Sequence, residues 1–140
     1  MKKLTVLLAA VLMLTACGKT EESVKGTGES AKDAKGNYAT AEIELQGDKV
    51  VSISLDELKE GKSKKELGPK YGMKDSGASK IKKEWDEQVK FLEDYIVKNG
   101  LEKVELTAEG KAKNDDVLAG CTINLTSMME AAKAAKDNAK

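Results

Sequence analysis

From Asn37 onward, apolar and polar residues alternate. Ala39, Ala41, Ile43 and Leu45 stand between Tyr38, Thr40, Glu42 and Glu44, the period-two pattern of a half-buried strand. Gln46-Gly47-Asp48 comes next as a turn, and Val51, Ile53 and Leu55 then alternate with Ser52 and Ser54. Together the two runs predict an antiparallel hairpin. The stretch from Asp56 to Ser79 is rich in Lys and Gly and holds the single proline, Pro69. It reads as loop, with room for one helical turn at Asp56 to Lys59. Its Lys62-Ser63-Lys64-Lys65 run reads as solvated or as a weak docking point for an acidic partner or anionic lipid.

From Ser79 to Lys98 the period lengthens. Ile81, Trp85, Val89, Leu92 and Ile96 recur at spacings of three and four, which predicts a long helix with one apolar stripe. The stripe puts Trp85 in the core. Asn99-Gly100 stops the helix, and Lys98 suits its negative end. Leu101 to Thr107 fits either a short helix or a strand. Thr122-Ile123-Asn124-Leu125 alternates again, predicting a strand with Ile123 and Leu125 inward. Ser127 and Glu130 have the spacing of a capping box at the head of a last helix. These elements predict an α+β domain. Its small antiparallel sheet, the hairpin plus the C-terminal strand, is covered by the long central helix and the C-terminal helix.

Ahead of that domain the pattern differs. Lys2 and Lys3 precede an almost unbroken apolar run from Leu4 to Leu14, and Leu14-Thr15-Ala16-Cys17 fits a bacterial lipobox. The run is short for a permanent membrane span. Residues 1–16 are therefore expected to be a cleaved lipoprotein signal peptide, with Cys17 receiving lipid. An ordinary secretory signal is the alternative, and the Cys directly after small residues favours the lipobox. Acyl chains on Cys17 place the protein on the extracytoplasmic face of the cell membrane. Residues 17–36 carry one sizeable apolar side chain, Val24, and no period. They read as the lipidated Cys and a flexible polar tether, leaving 37–140 as the folded domain.

Composition narrows the function. The 24 Lys balance 24 acids, with no Arg and no His. Balanced charge argues against a nucleic-acid footprint. Without His, the commonest transition-metal ligand and the usual proton carrier near neutral pH are missing; zinc, haem and histidine-dependent hydrolase chemistry are not expected. Once Cys17 is lipidated, Cys121 has no internal disulfide partner.

The chemistry is carried by Asp116-Val117-Leu118-Ala119-Gly120-Cys121-Thr122. An acid, a small pair ending in Gly and a Thr six residues after the acid resemble the flavinylation motif of FMN-binding domain proteins, with Ala119 and Cys121 in place of that motif's usual small residues. The lipobox and tether are similar to those of extracytoplasmic bacterial members. Tyr71-Gly72-Met73-Lys74, followed by Ile81-Lys82-Lys83-Glu84-Trp85-Asp86-Glu87-Gln88, is similar to a signature of small members. The resemblance runs from about Asn37 to the end.

The resemblance implies FMN esterified through its phosphate to Thr122 by a separate flavin transferase. Asp116 positions the segment or assists the transfer, and Ala119, Gly120 and Cys121 keep the flanks low and open. Cys121 reads as a redox thiol or as a buried small hydrophobe. Tyr71 and Met73 are candidates for the apolar wall a flavin ring needs, or for plain loop packing. The implied protein is a monomeric electron carrier rather than an enzyme, exchanging electrons with a quinone-linked dehydrogenase or other redox partner proteins. The alternative is a non-redox surface lipoprotein that keeps this fold as a ligand-binding or interaction module.

Overall fold

The structure, a computed structural model, describes residues 21–140; the expected signal peptide and Cys17 lie outside the described residues. Four antiparallel strands form one sheet in the order β1-β2-β3-β4: β1 Ser23–Glu29, β2 Tyr38–Gln46, β3 Lys49–Lys59 and β4 Lys62–Ser63. Two main helices, α2 (Trp85–Asn99) and α4 (Thr126–Asp137), cover one face, and two short ones, α1 (Lys64–Leu67) and α3 (Asp115–Leu118), sit in the connections. The α+β class expected from the patterning is the one observed.

The hairpin of β2 and β3 forms around Gly47-Asp48, with Gly47 at a positive φ of 58° that suits a two-residue turn. Ala39, Ala41, Ile43, Leu45, Ile53 and Leu55 point into the core. The ladder shifts between Glu44 and Leu45, so Val51 is the extra residue and Val50, rather than Val51, is buried. A bulge reverses the alternation beyond it, which simple period-two reading cannot anticipate. β3 also continues through Asp56–Lys59, so the helical turn for which the sequence left room does not form.

Two larger expectations are corrected as well. The first concerns the tether, since Ser23–Glu29 is not free chain: it pairs along β2 from Ser23↔Gln46 to Glu29↔Thr40. Its inward positions are Gly26 and Gly28, and α4 lies directly on them. A Cβ on Gly26 would meet the Ala135 carbonyl oxygen at 1.9 Å, and one on Gly28 would meet the Ala131 oxygen and Ala135 nitrogen at 2.3 Å. Ala131, Ala132 and Ala135 are the buried α4 residues that allow this approach. Strand and helix thus meet backbone to backbone, without the large apolar side chains that betray a strand in sequence.

The second concerns Thr122 to Leu125. Ile123 and Leu125 are buried as expected, but no ladder forms. The segment is held instead by Leu125 N–H donating to the Gly110 carbonyl at 2.7 Å and by Asn124 Nδ2 donating to the Glu109 carbonyl at 2.7 Å. The sheet is completed by β1, not by a C-terminal strand.

α2 buries Trp85, Val89, Leu92 and Ile96, as the stripe predicts, but it begins at Trp85 rather than Ser79. The preceding residues are tied into a turn in which the Ser79 hydroxyl accepts from Lys83 N–H at 2.9 Å. The Glu87 carboxylate, in the first turn of α2, accepts from Glu84 N–H at 2.7 Å. α4 starts one residue ahead of the expected capping box, with Asn124 Oδ1 accepting from Thr126 N–H. α2 packs on β3 and α4 on β1 and β2. Glu93, buried on α2, accepts from the Leu55 N–H at 2.8 Å and from Lys65 Nζ at 2.6 Å. This one carboxylate satisfies an edge donor of β3 and fastens α1 to α2. Leu101–Lys103 resolves as a single turn of 3-10 helix, and Leu106 bridges Ala112.

The close seating of α4 on β1 generates a prediction. Gly28→Ala should cost about 1–3 kcal/mol, the usual range for added methyl groups in a packed core. Thr27→Ala, on the exposed side of the same strand, should cost less than about 0.5 kcal/mol. Denaturant unfolding measures both. Equal, small losses would mean that β1 and α4 are not tightly apposed.

Candidate functional site

The heptapeptide folds as a turn. Asp116 to Leu118 lie on α3, whose buried Val117 anchors it to the core, and the Gly120 and Cys121 N–H groups both bond back to the Val117 carbonyl. The chain then passes under α2. Gly120 lies beneath the Phe91 ring, and a Cβ there would sit 2.3 Å from Phe91 Cγ. The absent side chain therefore makes room for an aromatic ring; it does not open the motif for docking. Cys121 is fully buried in the core. Burial pushes its thiol up to about 11, against a weaker opposing hydrogen bond at Ile123, so it packs as a small hydrophobe and remains protonated.

Thr122 follows the buried Gly120 and Cys121 and is half-buried. Its backbone N–H donates to Gln88 Oε1 at 2.9 Å and its Oγ1 donates to the same oxygen at 3.3 Å. Thr122, Tyr71 and Met73 share the wall of one cleft of about 320 Å³, together with Trp85, Lys64, Lys80, Lys111 and Glu57. Three of the expected site residues are thus brought together from two segments far apart in the chain.

The remaining expected residues are not. Ala119 is exposed beside the turn. The Asp116 carboxylate accepts from its neighbour Val117 N–H and borders a different hollow, with Phe91, Tyr95 and Lys98. There, partial burial and the Asp116 carboxylate hold the Tyr95 phenol above its ordinary value. The reason is helical: the turn of α3 separates Asp116 from Thr122 and sets them on different hollows. Asp116, Ala119, Gly120 and Cys121 support the turn that presents Thr122; they do not line the cleft.

Sequence patterning missed several residues. Lys64, in the run read as solvated, is largely buried, paired with Glu57, and stands 5.4 Å from the ring centroids of both Tyr71 and Trp85. Burial alone would lower its ammonium; the Glu57 contact and Tyr71 outweigh that and raise it. A readable signal existed: Ser63 precedes Glu66 by three, and the Ser63 hydroxyl does accept from Glu66 N–H to cap α1. Gln88 was also missed, although a polar residue three positions after Trp85 on an apolar stripe marks itself. Glu84 is buried, and its two oxygens accept from Met73 N–H at 2.9 Å and Lys74 N–H at 3.1 Å, which fixes the loop that carries Met73.

The cleft therefore has an aromatic and thioether wall, a hydroxyl among its lining groups, and more positive than negative charge. Lys80 and Lys111 form no ion pair among the described residues. Such a site suits an anionic ligand with a planar apolar part. Tyr71, Lys64 and Glu57 also border an adjoining hollow of about 250 Å³ that runs to Tyr38 and Asn37. Among the described residues no cluster of three or more acids and cysteines is placed to hold a metal, and no helix is long and apolar enough to cross a membrane.

The buried thiol sets a pH dependence. The folded state holds the Cys121 proton more tightly than the unfolded chain, whose ordinary value is 9.0. Stability should be indifferent to this group below pH 9 and fall as pH rises from about 9 to about 11. In Cys121→Ala that segment of the stability profile should flatten. At mildly alkaline pH a thiol reagent should label the native protein only at the rate of unfolding; immediate labelling would place the thiol at the surface.

No family model matches the chain, and no curated protein matches it. In structure it is similar to a protein from Clostridium thermocellum, determined by solution NMR as a structural-genomics target. The two align with a TM-score of 0.50 and 23% identity over 86% of this chain and 92% of that one. At that identity the likeness is one of fold, and it extends over nearly the whole of both chains.

Proposed function

We propose that this chain is a membrane-anchored, extracytoplasmic FMN-binding protein that carries electrons, with FMN joined through a phosphoester to Thr122. The observation that carries this reading is the shared cleft: the Thr122 hydroxyl lies on the same wall as Tyr71 and Met73, beside Lys80 and Lys111. These residue types fit the group. Lysines favour its phosphate, and an aromatic ring with a thioether offers a surface for a flat ring system. Bound FMN supplies the redox chemistry; the chain attaches it, orients it and sets its electrostatic surroundings.

Thr122 Oγ1 would hold FMN through an ester to its phosphate, the hydroxyl giving up its proton and a transferase-bound flavin donor giving up its leaving group. The cleft groups then have separate tasks. Glu84 fixes the loop bearing Met73, Lys64 holds Tyr71 and Trp85 around one cation, and Lys80 and Lys111 attract the anion. A lipid on Cys17 keeps the domain near membrane dehydrogenases and quinones. On this reading the chain is a carrier, and turnover belongs to its redox partners. A second reading rests on Asp116, which borders the other hollow and not the Thr122 cleft: a non-redox lipoprotein using the cleft for a reversibly bound anionic aromatic ligand.

Intact-protein mass separates the two. Coexpressed with a flavin transferase, the wild type should gain one FMN and turn yellow, and Thr122→Ala should do neither. An unmodified wild type overturns the covalent reading in favour of the second. An adduct that survives in Thr122→Ala moves the acceptor elsewhere.

A further inference from the structure

We infer that Gln88 is a positioning residue that sets the Thr122 hydroxyl with its proton turned inward and its lone pairs facing the cleft. The inference rests on the reading of Thr122 as an acceptor but concerns this chain's own geometry. Gln88 is completely buried on α2, so each polar atom of its carboxamide needs a partner. The nitrogen donates to the Lys83 carbonyl at 3.2 Å and to the Ser79 hydroxyl at 3.2 Å, with Met73 Sδ at 3.7 Å. The oxygen accepts from Thr122 N–H at 2.9 Å and Oγ1 at 3.3 Å.

Two of these partners are one-sided. A backbone N–H can only donate and a carbonyl can only accept. Turning the amide over would set N–H against N–H at Thr122 and oxygen against oxygen at Lys83. The oxygen is therefore held toward Thr122. A hydroxyl within reach of it must give its proton, and the lone pairs of Oγ1 are then left to the cleft, where an incoming phosphorus would approach. An amide oxygen is too weak a base to remove the proton at neutral pH, so Gln88 orients the nucleophile and does not activate it. The same carboxamide ties the two walls together: its oxygen holds the Thr122 segment, and its nitrogen holds the Ser79–Lys83 turn and approaches Met73.

The rotamer of Thr122 tests this without any flavin. Three-bond couplings from Thr122 Cγ2 to its own nitrogen and carbonyl carbon should report one χ1 rotamer in the wild type. Gln88→Met should average them and shift the Thr122 amide resonance. Thr122→Ser lacks the γ-methyl that packing could grip, and its Hα–Hβ couplings should still report a single χ1. Gln88→Glu is the rescue. Protonated or ionised, it keeps an oxygen that accepts from Thr122 N–H and Oγ1, so it should hold the rotamer that Gln88→Met, of similar size, releases; packing alone would not separate the two variants. With the transferase present, Gln88→Met should be modified roughly tenfold more slowly than the wild type, or slower still, as a reacting group that loses its orientation would be. Averaged couplings in the wild type or in Thr122→Ser overturn the proposal, as does an unchanged rotamer or unchanged modification rate in Gln88→Met. A wild type that is never modified overturns the flavin reading alone, since the couplings still decide the role of Gln88.

Discussion

The buried carboxamide of Gln88 is the contact on which the cleft depends. A neutral amide removed from water without partners costs about 1–3 kcal/mol on mutational scales, so its bonds are an obligation the neighbouring segments must meet. Three segments meet it: the Ser79–Lys83 turn, the loop at Met73 and the backbone of Thr122. None of them belongs to the sheet, and none has a ladder of its own. Glu84, one helical turn earlier, does the same for the Met73 and Lys74 amides. Irregular chain around the cleft is thus pinned by two polar side chains at the head of one helix. A regular helix is stiff, and the precision of the cleft derives from that stiffness.

The signature spanning Tyr71 to Gln88 gains physical content from these bonds. Its parts look unrelated in sequence, a Y-G-M-K turn and a helix start separated by glycine, serine and lysine. In the fold they are one unit, because Glu84 and Gln88 bond to the turn that the first part makes. Lys64 closes the unit from the other side, between the Tyr71 and Trp85 rings. Trp85 serves both needs, filling the core and presenting an edge to the cleft.

The same physics decides how much of the molecule is legible in its sequence. The β2–β3 hairpin and the stripes of α2 and α4 are readable because their burial is carried by side chains at fixed periods. β1 is not, because its burial is carried by the absence of side chains at Gly26 and Gly28, and a glycine-rich polar segment is indistinguishable by composition from a tether. Val51 is misplaced by one bulged residue. Ile123 and Leu125 alternate as a strand would, but alternation records which side chains are buried and says nothing of what the backbone bonds to; here it bonds to a turn and to Gln88. At the site, Thr122, Tyr71 and Met73 are recognisable as candidates and do converge. The Ser63–Glu66 spacing marks the turn that carries Lys64 and the stripe marks Gln88 as buried, but what Lys64, Glu84 and Gln88 bond to depends on contacts across the fold, which charge or amide character alone does not reveal.

The charges of the cleft decide where an anion would settle. Lys64 is bound to Glu57, so that pair adds little net field, and its two groups stand where the cleft and the adjoining hollow meet. Beyond the pair on the Thr122 side are Lys80 and Lys111, with no further acid among the described residues of that wall. On the other side, Asp33 offsets Lys59. An anionic group would therefore be drawn toward the Thr122 end, and the Tyr38 end would be left for a neutral part of a ligand. That polarity runs in the direction the proposed ester at Thr122 requires: the hydroxyl held by Gln88 and the lysines occupy the same end of the groove, the end an anion would take.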